Sequence, residues 1–406
     1  MGYKMILSKA YKFSLIDIYM GVICIFPITT MLVDNNVWNK LLFGILAATH
    51  LLMLFTRPIK RKTLLLLLWL LVHCIYAIAK TSFPMANVNL LFYYPFFLVY
   101  TYFMTNDMDE IIGWFSKKRK FVRFLINLWT ILVGISIFLP SSYYVREGGN
   151  YYFGSFCNTI FRLAPSAVFI QVLVLVEQVL FGKKYSVLYM IIPMYCFLMG
   201  SARTYMVVGF CIFVISWYVF CGKEKLFWST IIPLAVAVFA FLGVAALGDK
   251  IAYTLDETQY GDFWFRITSS RNVLWTDVLE EWGKLGILAK TIGAEIEFST
   301  KATGHWAHND FIEILGSFGI IGLLQYWFSM RDLHKTCYGR LQIPKIIKLC
   351  AWMAWFFNAF FNMHYVYFCA MLCYPMLIFV IRVYFENGNK WKGGKRETTN
   401  GIYPNV

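Results

Sequence analysis

Fixed positive charge and a titratable imidazole are concentrated in a few short stretches of this chain. Arg203 stands in Met199-Gly-Ser-Ala-Arg-Thr204, and Arg266 and Arg271 stand in Phe265-Arg-Ile-Thr-Ser-Ser-Arg271. Arg162, with Arg146, lies in a polar stretch spanning 141–163, while His305 and His308 share Thr303-Gly-His-Trp-Ala-His-Asn-Asp310. A guanidinium stays charged and its planar fork grips two oxygens at once, which suits a phosphate or diphosphate. An imidazole accepts a proton near neutral pH. Together these groups suit transfer of a glycosyl group from a lipid diphosphate. The leaving diphosphate gains charge as its bond breaks, arginines stabilise that charge, and His308 takes the proton of the attacking hydroxyl. Plainer roles stand beside these: a single arginine can snorkel to lipid phosphates, and Asn309 and Asp310 can cap the helix that follows. Paired carboxylates for a retaining mechanism are not evident. His305 and His308 lack acidic companions beyond Asp310, and Asp34 stands alone, so neither a metal nor a cofactor is expected.

The elements that must carry these residues are apolar. Of 406 residues, 59% are hydrophobic and only 15% charged, against roughly 45–50% and 25% in soluble domains. Lipid must therefore cover part of the surface. Stretches long enough for a bilayer, about 20 residues each, run approximately 14–33, 38–56, 63–80, 88–105, 121–140, 164–181, 186–201, 203–221, 226–248, 310–330, 346–363 and 365–384. The reading is an all-α polytopic membrane protein of about twelve transmembrane helices. The N-terminal span follows Lys4, Lys9 and Lys12 without a small-residue cleavage site, which fits a retained helix rather than a removed signal peptide.

Basic residues fix the expected orientation. Arg57–Lys62, Lys117–Lys120, Lys183-Lys184, Lys223 with Lys225, Arg331–Lys348 and Lys390–Arg396 fall on alternate connections, whereas Asp34–Asn36, Thr81–Val88 and Asn362–His364 carry almost none. Both termini are then cytoplasmic, and the net charge of +15 reports topology rather than nucleic-acid binding. Two loops on the opposite side are long, 141–163 and 249–309. The second holds nine acidic and six basic residues, so it is not built to hug anionic headgroups, and it is too long for a mere connector. Within it, Ser270 is placed to cap an amphipathic helix running to about Gly283. Leu274, Val278, Leu279, Trp282 and Leu285 form its apolar side, opposite Asp277, Glu280 and Glu281. That helix is expected to rest on the membrane surface or on the bundle. Gly316, Gly319 and Gly322 clear a narrow track along the next helix for a close neighbour, either backbone or lipid. The ten cysteines lie mostly in apolar stretches without a CxxC pair and read as small packing groups.

His308-Asn309, the apolar run behind them and Gly319-Ile-Ile-Gly322 resemble the HN…GxxG signature of the O-antigen polymerase and O-antigen ligase superfamily. Gly154-Ser-Phe-Cys-Asn158 is similar to that family's Gly-Thr-Phe-x-Asn stretch. Gly200-Ser-Ala-Arg-Thr204 is similar to its Ser-Arg motif, and Ser270-Arg271 with Trp275 to the arginine segment that opens its large loop. The resemblance covers roughly 154–325. It implies a multi-helix glycosyltransferase of C-type (GT-C-like) architecture in the bacterial plasma (inner) membrane, acting on its outer, periplasmic face. The implied donor is an undecaprenyl-diphosphate-linked oligosaccharide, with no nucleotide sugar, and the implied protein partners are a chain-length regulator and a flippase. Arg203 and Arg271 would hold the donor diphosphate and His308 would act on the acceptor hydroxyl or orient the donor, with Arg266, Asn309, His305, Arg162 and Trp275 lining the substrate.

Within the resemblance, a polymerase that moves a growing glycan onto a lipid-linked repeat unit is favoured over a ligase that moves a finished glycan onto a lipid or protein acceptor. A flippase is the alternative from another class. Asp17, His50, His73 and Glu177 would be its intramembrane polar groups, but their scatter over separate spans reads better as helix–helix hydrogen bonding. There is no Walker A sequence, so ATP is not the energy source.

Overall fold

The computed structural model describes residues 14–32, 36–56, 61–80, 90–145, 151–182, 184–221, 268, 271–339, 341–362 and 367–393. In chain order these form α1 (Leu15–Leu32), α2 (Asn36–Thr56), α3 (Arg61–Lys80), α4 (Leu90–Asn106), α5 (Met108–Lys117) and α6 (Arg119–Ser136). A hairpin, β1 (Tyr143–Val145) and β2 (Tyr151–Phe153), precedes α7 (Ile160–Phe181), α8 (Ile191–Met199) and α9 (Arg203–Cys221). Then come α10 (Arg271–Gly283), α11 (Ile287–Ile292), α12 (Phe298–Thr303), α13 (Asp310–Tyr338), α14 (Lys345–Asn362) and α15 (Phe368–Gly393).

The chain is mostly helical, and among the described residues five helices, α1, α7, α9, α13 and α15, are long and apolar enough to cross a membrane by length and composition. Helix occupies each expected span except 226–248, which lies outside the described residues. The segment 186–201 is α-helical only in its second half, after a 3-10 turn over Lys184–Met190. Two elements depart from the all-helical expectation or add to it. The loop 141–163 folds as the antiparallel hairpin, pairing Tyr143 with Phe153 and Val145 with Tyr151, and α7 begins inside that loop's expected range. The connection before α6 holds α5, too short for a span but amphipathic, with Ile111, Ile112, Trp114 and Phe115 buried.

At the centre is α7. It is mainly apolar, with Gln171, Glu177 and Gln178 among its few polar residues, and every residue of its membrane-length window is buried, as expected of a helix with no face left for solvent or lipid. Around it pack α1, α6, α8, α9 and α15. Polar side chains inside the bundle tie helices to one another. Ser216 Oγ donates to Gln178 Oε1 (2.5 Å), Tyr94 Oη to the Gly322 carbonyl (2.5 Å), and Tyr100 Oη to the Leu372 carbonyl (3.1 Å). The four intramembrane polar residues singled out above do the same. His50 meets Tyr19 Oη at 3.3 Å, His73 meets Gln325 at 3.2 Å, Glu177 pairs with Arg123 at 3.7 Å, and Asp17 pairs with Lys118 at 3.5 Å. The described cysteines are free thiols, most of them buried.

The glycine track on α13 is filled by the chain itself, by the Phe298 side chain at Gly316, by backbone at Gly319 and by the Phe318 side chain at Gly322. Gly319 takes φ +67 and ψ −170 and breaks α13 in two. A Cβ there would lie 2.5 Å from the Gly293 nitrogen and from the Thr291 carbonyl oxygen. Gly293, at φ +113, would place its own Cβ 2.2 Å from the Ser317 oxygen, and Ala294 N donates to the Gly316 carbonyl at 3.0 Å. Backbone therefore touches backbone where α11 ends. Gly293→Ala adds both a clash and left-handed strain, and should destabilise the protein by about 2–4 kcal/mol. Gly286→Ala has no atom within 4 Å to meet and should be near neutral. Thermal unfolding of the two variants in detergent checks the contrast.

Candidate functional site

Local sequence explains where the two arginines of the site stand. The chain leaves α8 through a tight turn in which Ser201 adopts a left-handed φ of 53 and Ala202 N reaches back to the Phe197 carbonyl at 2.9 Å, a Schellman-type closure. A side chain at Gly200 would fall 2.1 Å from Ile160 Cδ1, so the turn sits tightly on the start of α7. Arg203 is then the first residue of α9. Arg271 is the first residue of α10, whose opening turn is held by Thr268, Oγ1 accepting from Asn272 N at 3.2 Å. Ser270, the expected cap, lies outside the described residues.

Both helix starts open onto one cavity of about 370 Å³. Arg203, Thr204 and Tyr205 from α9, and Thr268 and Arg271 from the start of α10, supply its polar wall. Ile160, Phe161, Phe357 and Phe361 supply much of its apolar wall, and Asn362 stands at the end of α14. The smaller loop contributes by fixing α7, since Tyr144 Oη accepts from Ile160 N at 3.2 Å. One arm of Arg271 donates to the Phe361 carbonyl. Burial, with the Arg203 charge adding to it and Tyr367 opposing, holds the Arg271 guanidinium below its usual pKa, yet guanidinium is basic enough to remain charged. Tyr205 Oη and Asn362 Nδ2 are buried beside the arginines and interact with each other, without a well-formed hydrogen bond. Their residues are 4% and 6% exposed. Both line the cavity, where an acceptor that enters meets a hydroxyl and an amide.

His308 stands within electrostatic reach of Arg271. Burial depresses its imidazole to about 4, helped by the charges of Arg271 and His305, so it is neutral at physiological pH. Its Nδ1 is buried with no hydrogen-bond partner. The residue holds a left-handed φ of 50, a strained conformation that persists only where neighbours over-determine it. Those neighbours are visible. Ala307 N donates to Ser299 Oγ at 3.2 Å, Trp275 Nε1 donates to the Ala307 carbonyl at 2.6 Å, and Asn309 Oδ1 accepts from Phe311 N and Ile312 N at 3.0 and 3.2 Å. Ser299 in turn donates to Glu313, which also accepts from Ser317 Oγ at 3.3 Å.

The structure thus brings Arg203 and Arg271, far apart in sequence, to one cavity, with His308 not on its wall but within electrostatic reach of Arg271. It gives other expected substrate contacts different roles. Asn309 is the N-cap of α13 and is 1% exposed, so its oxygen is committed to the helix. Trp275 holds the Ala307 carbonyl and packs its ring on Phe360 and Phe361 at 5.0 and 6.2 Å, which makes it a support for His308. His305 is exposed and acts on His308 through charge. Arg162 lies in the first turn of α7 but is not among the cavity-lining residues, whereas its neighbour Phe161 is. Arg266 and Arg146 lie outside the described residues. The amphipathic helix is present as α10, packed against α12 and α13. Its buried residue is Val278, with Leu274, Trp275 and Trp282 half-buried, and Leu279 turns outward.

Tyr205, Thr268 and Asn362 were not anticipated. A signal existed for the last of these: Asn358 and Asn362 stand four apart, on one face of an otherwise apolar and aromatic helix, where a polar pair is costly unless it has work to do. No protein-family model, no curated protein and no solved structure matches this chain.

Proposed function

We propose that this protein is a metal-independent membrane glycosyltransferase of the O-antigen polymerase type. It moves a glycan chain from undecaprenyl diphosphate onto the free end of a lipid-linked repeat unit, at the outer face of a bacterial plasma membrane. Twelve spans with both termini cytoplasmic and a GT-C-like architecture belong to the same reading. The observation that carries it is the cavity in which Arg203 and Arg271, each opening a helix, meet the hydroxyl of Tyr205 and the amide of Asn362. Helix N-termini are positive and their free amides favour anions. A cation is unfavourable at that end of a helix unless an anion joins it, and here two such ends face one space.

A diphosphate supplies oxygens for both guanidiniums and for the hydroxyl and amide donors. The phenylalanine walls suit a polyprenyl tail or the apolar face of a sugar ring. Beside this, His308 is neutral with a free ring nitrogen, as a proton acceptor for the incoming hydroxyl must be. The acceptor oxygen attacks the anomeric carbon, the bond to the diphosphate oxygen breaks, and the proton passes to His308. The arginines stabilise the charge that accumulates on the leaving diphosphate.

Deleting the gene and resolving surface glycan on a gel tests the assignment. Single-repeat products support a polymerase. Undecorated acceptor lipid with retained long chains identifies a ligase instead, and loss of exported repeat identifies a flippase.

A further inference from the structure

The segment between α10 and α12 sits lower in the bundle than a surface loop would. α11 and the residues after it contact α13 at Gly316, Ser317, Phe318 and Gly319, six to nine residues beyond the start of α13 at Asp310. At 1.5 Å per residue this is about 9–13 Å along the helix axis, and half the hydrocarbon core is about 15 Å. α13 is itself long and apolar enough to span the membrane. At the opposite end of α11 from that contact, Ile287 is 86% exposed and Leu288 59%.

Below the contact, α13 exposes Ile320, Leu324, Trp327 and Phe328, spaced to form one stripe. Above it, α11 and α12 cover α13. Apolar side chains are thus exposed on both sides of the contact, on the lower part of α13 and on α11. The one charged residue of α11 is drawn away from that depth. Lys290 Nζ donates to the Gly283 carbonyl at 2.5 Å and lies 5.4 Å from the Trp282 ring, the behaviour of a lysine that snorkels to an aromatic interface. Irregular backbone at membrane depth is tolerated only where protein satisfies it. The end of α11 meets that condition: Gly293 N donates to the Ala289 carbonyl at 2.8 Å and Ala294 N to the Gly316 carbonyl at 3.0 Å, while Thr291 Oγ1 donates to the Ile287 carbonyl at 2.8 Å. Its first-turn amides, which Gly286 does not cap with a side chain, belong at the headgroup level where water reaches them.

We propose that α11 is a re-entrant segment that dips into the leaflet on the loop's side of the membrane, with Ile287 and Leu288 against lipid acyl chains. α10 and its charges stay in water above it, and Trp282 marks the boundary. The proposal does not depend on the catalytic reading, and its test needs no activity.

Bimane is attached to Ile287→Cys, Leu288→Cys and, as the aqueous reference, Asp277→Cys. The proteins are reconstituted in phosphatidylcholine vesicles with or without dibrominated phosphatidylcholine, and signals are corrected for label taken up by the wild-type chain. At positions 287 and 288 the brominated lipid should quench at least about threefold more than at 277, and iodide should quench correspondingly less. Iodide quenching at 287 equal to that at 277, with no response to brominated lipid, would overturn the proposal and leave a water-exposed patch. Protection from both quenchers would also overturn it, assigning the face to a second protein surface. If a cysteine variant does not fold, Ile287→Trp with the same lipids gives the same reading through the added tryptophan emission.

Discussion

Arg271→Ala should lower the rate of glycan chain extension by about two to three orders of magnitude, and Arg271→Lys by nearly as much. The reason is geometric. One arm of the guanidinium already donates to the Phe361 carbonyl, and that bond fixes the plane in which the remaining N–H groups face the cavity shared with Arg203. A lysine keeps the charge and loses both the fork and the anchor. It is also the group whose pKa falls most readily on burial beside another cation. Initial rates of elongation of lipid-linked repeats in isolated membranes, normalised to protein abundance, make the comparison. Lysine activity close to wild type would show that point charge suffices and would remove bidentate binding from the mechanism. Wild-type chain lengths from Arg271→Ala would remove the site itself.

His308→Ala should reduce extension by about two to four orders of magnitude, the usual contribution of a positioned base, with insertion and abundance unchanged. The pH dependence is the sharper measurement. An unperturbed histidine loses its proton near 6.5, and burial beside Arg271 and His305 moves His308 to about 4. Above that pH it is neutral and able to accept a proton; below it the ring is protonated and the step fails. The acidic limb of kcat/KM, which reports the free enzyme, should therefore fall near pH 4 in the wild type. The variant should show a flat, low rate in the same range. A limb near 6.5 would mean that the imidazole is solvated, contrary to its buried Nδ1.

Periodicity and composition located the helices well, because a membrane span is a long signal that lipid imposes on every residue facing it. They read less well wherever a short element does its work through neighbours. The hairpin around Tyr144 and Tyr152 has only three residues in each strand, too few for an alternating pattern to stand out. α5 and α11 are shorter than any span and look like parts of the connections around them. In the site, Arg203, Arg271 and His308 were legible because charge is scarce in such a chain. Asn309 and Trp275 were assigned to substrate because residue type alone does not say whether an amide or indole is already committed. The backbone N–H groups of Phe311 and Ile312, and the carbonyl of Ala307, decide that question. Tyr205 looked like one more aromatic among many. Its hydroxyl matters only because the turn at Ser201 brings the start of α9 against α10 and α14. Gly319 was read as part of a smooth track, yet its positive φ makes it a break, which spacing cannot reveal.

The burial of α7 on every side bears on how the bundle is assembled. Its covering helices come from both ends of the chain, α1 and α6 before it and α8, α9 and α15 after it. During synthesis α7 enters the membrane long before α15 exists, and until then part of its surface is solvated by lipid. The Gln178 side chain has its partner Ser216 on α9, and Glu177 has Arg123 on α6. Sequestration of this helix is therefore a late, long-range event, and a nascent chain held before α15 would present to the bilayer a face that the finished protein never shows.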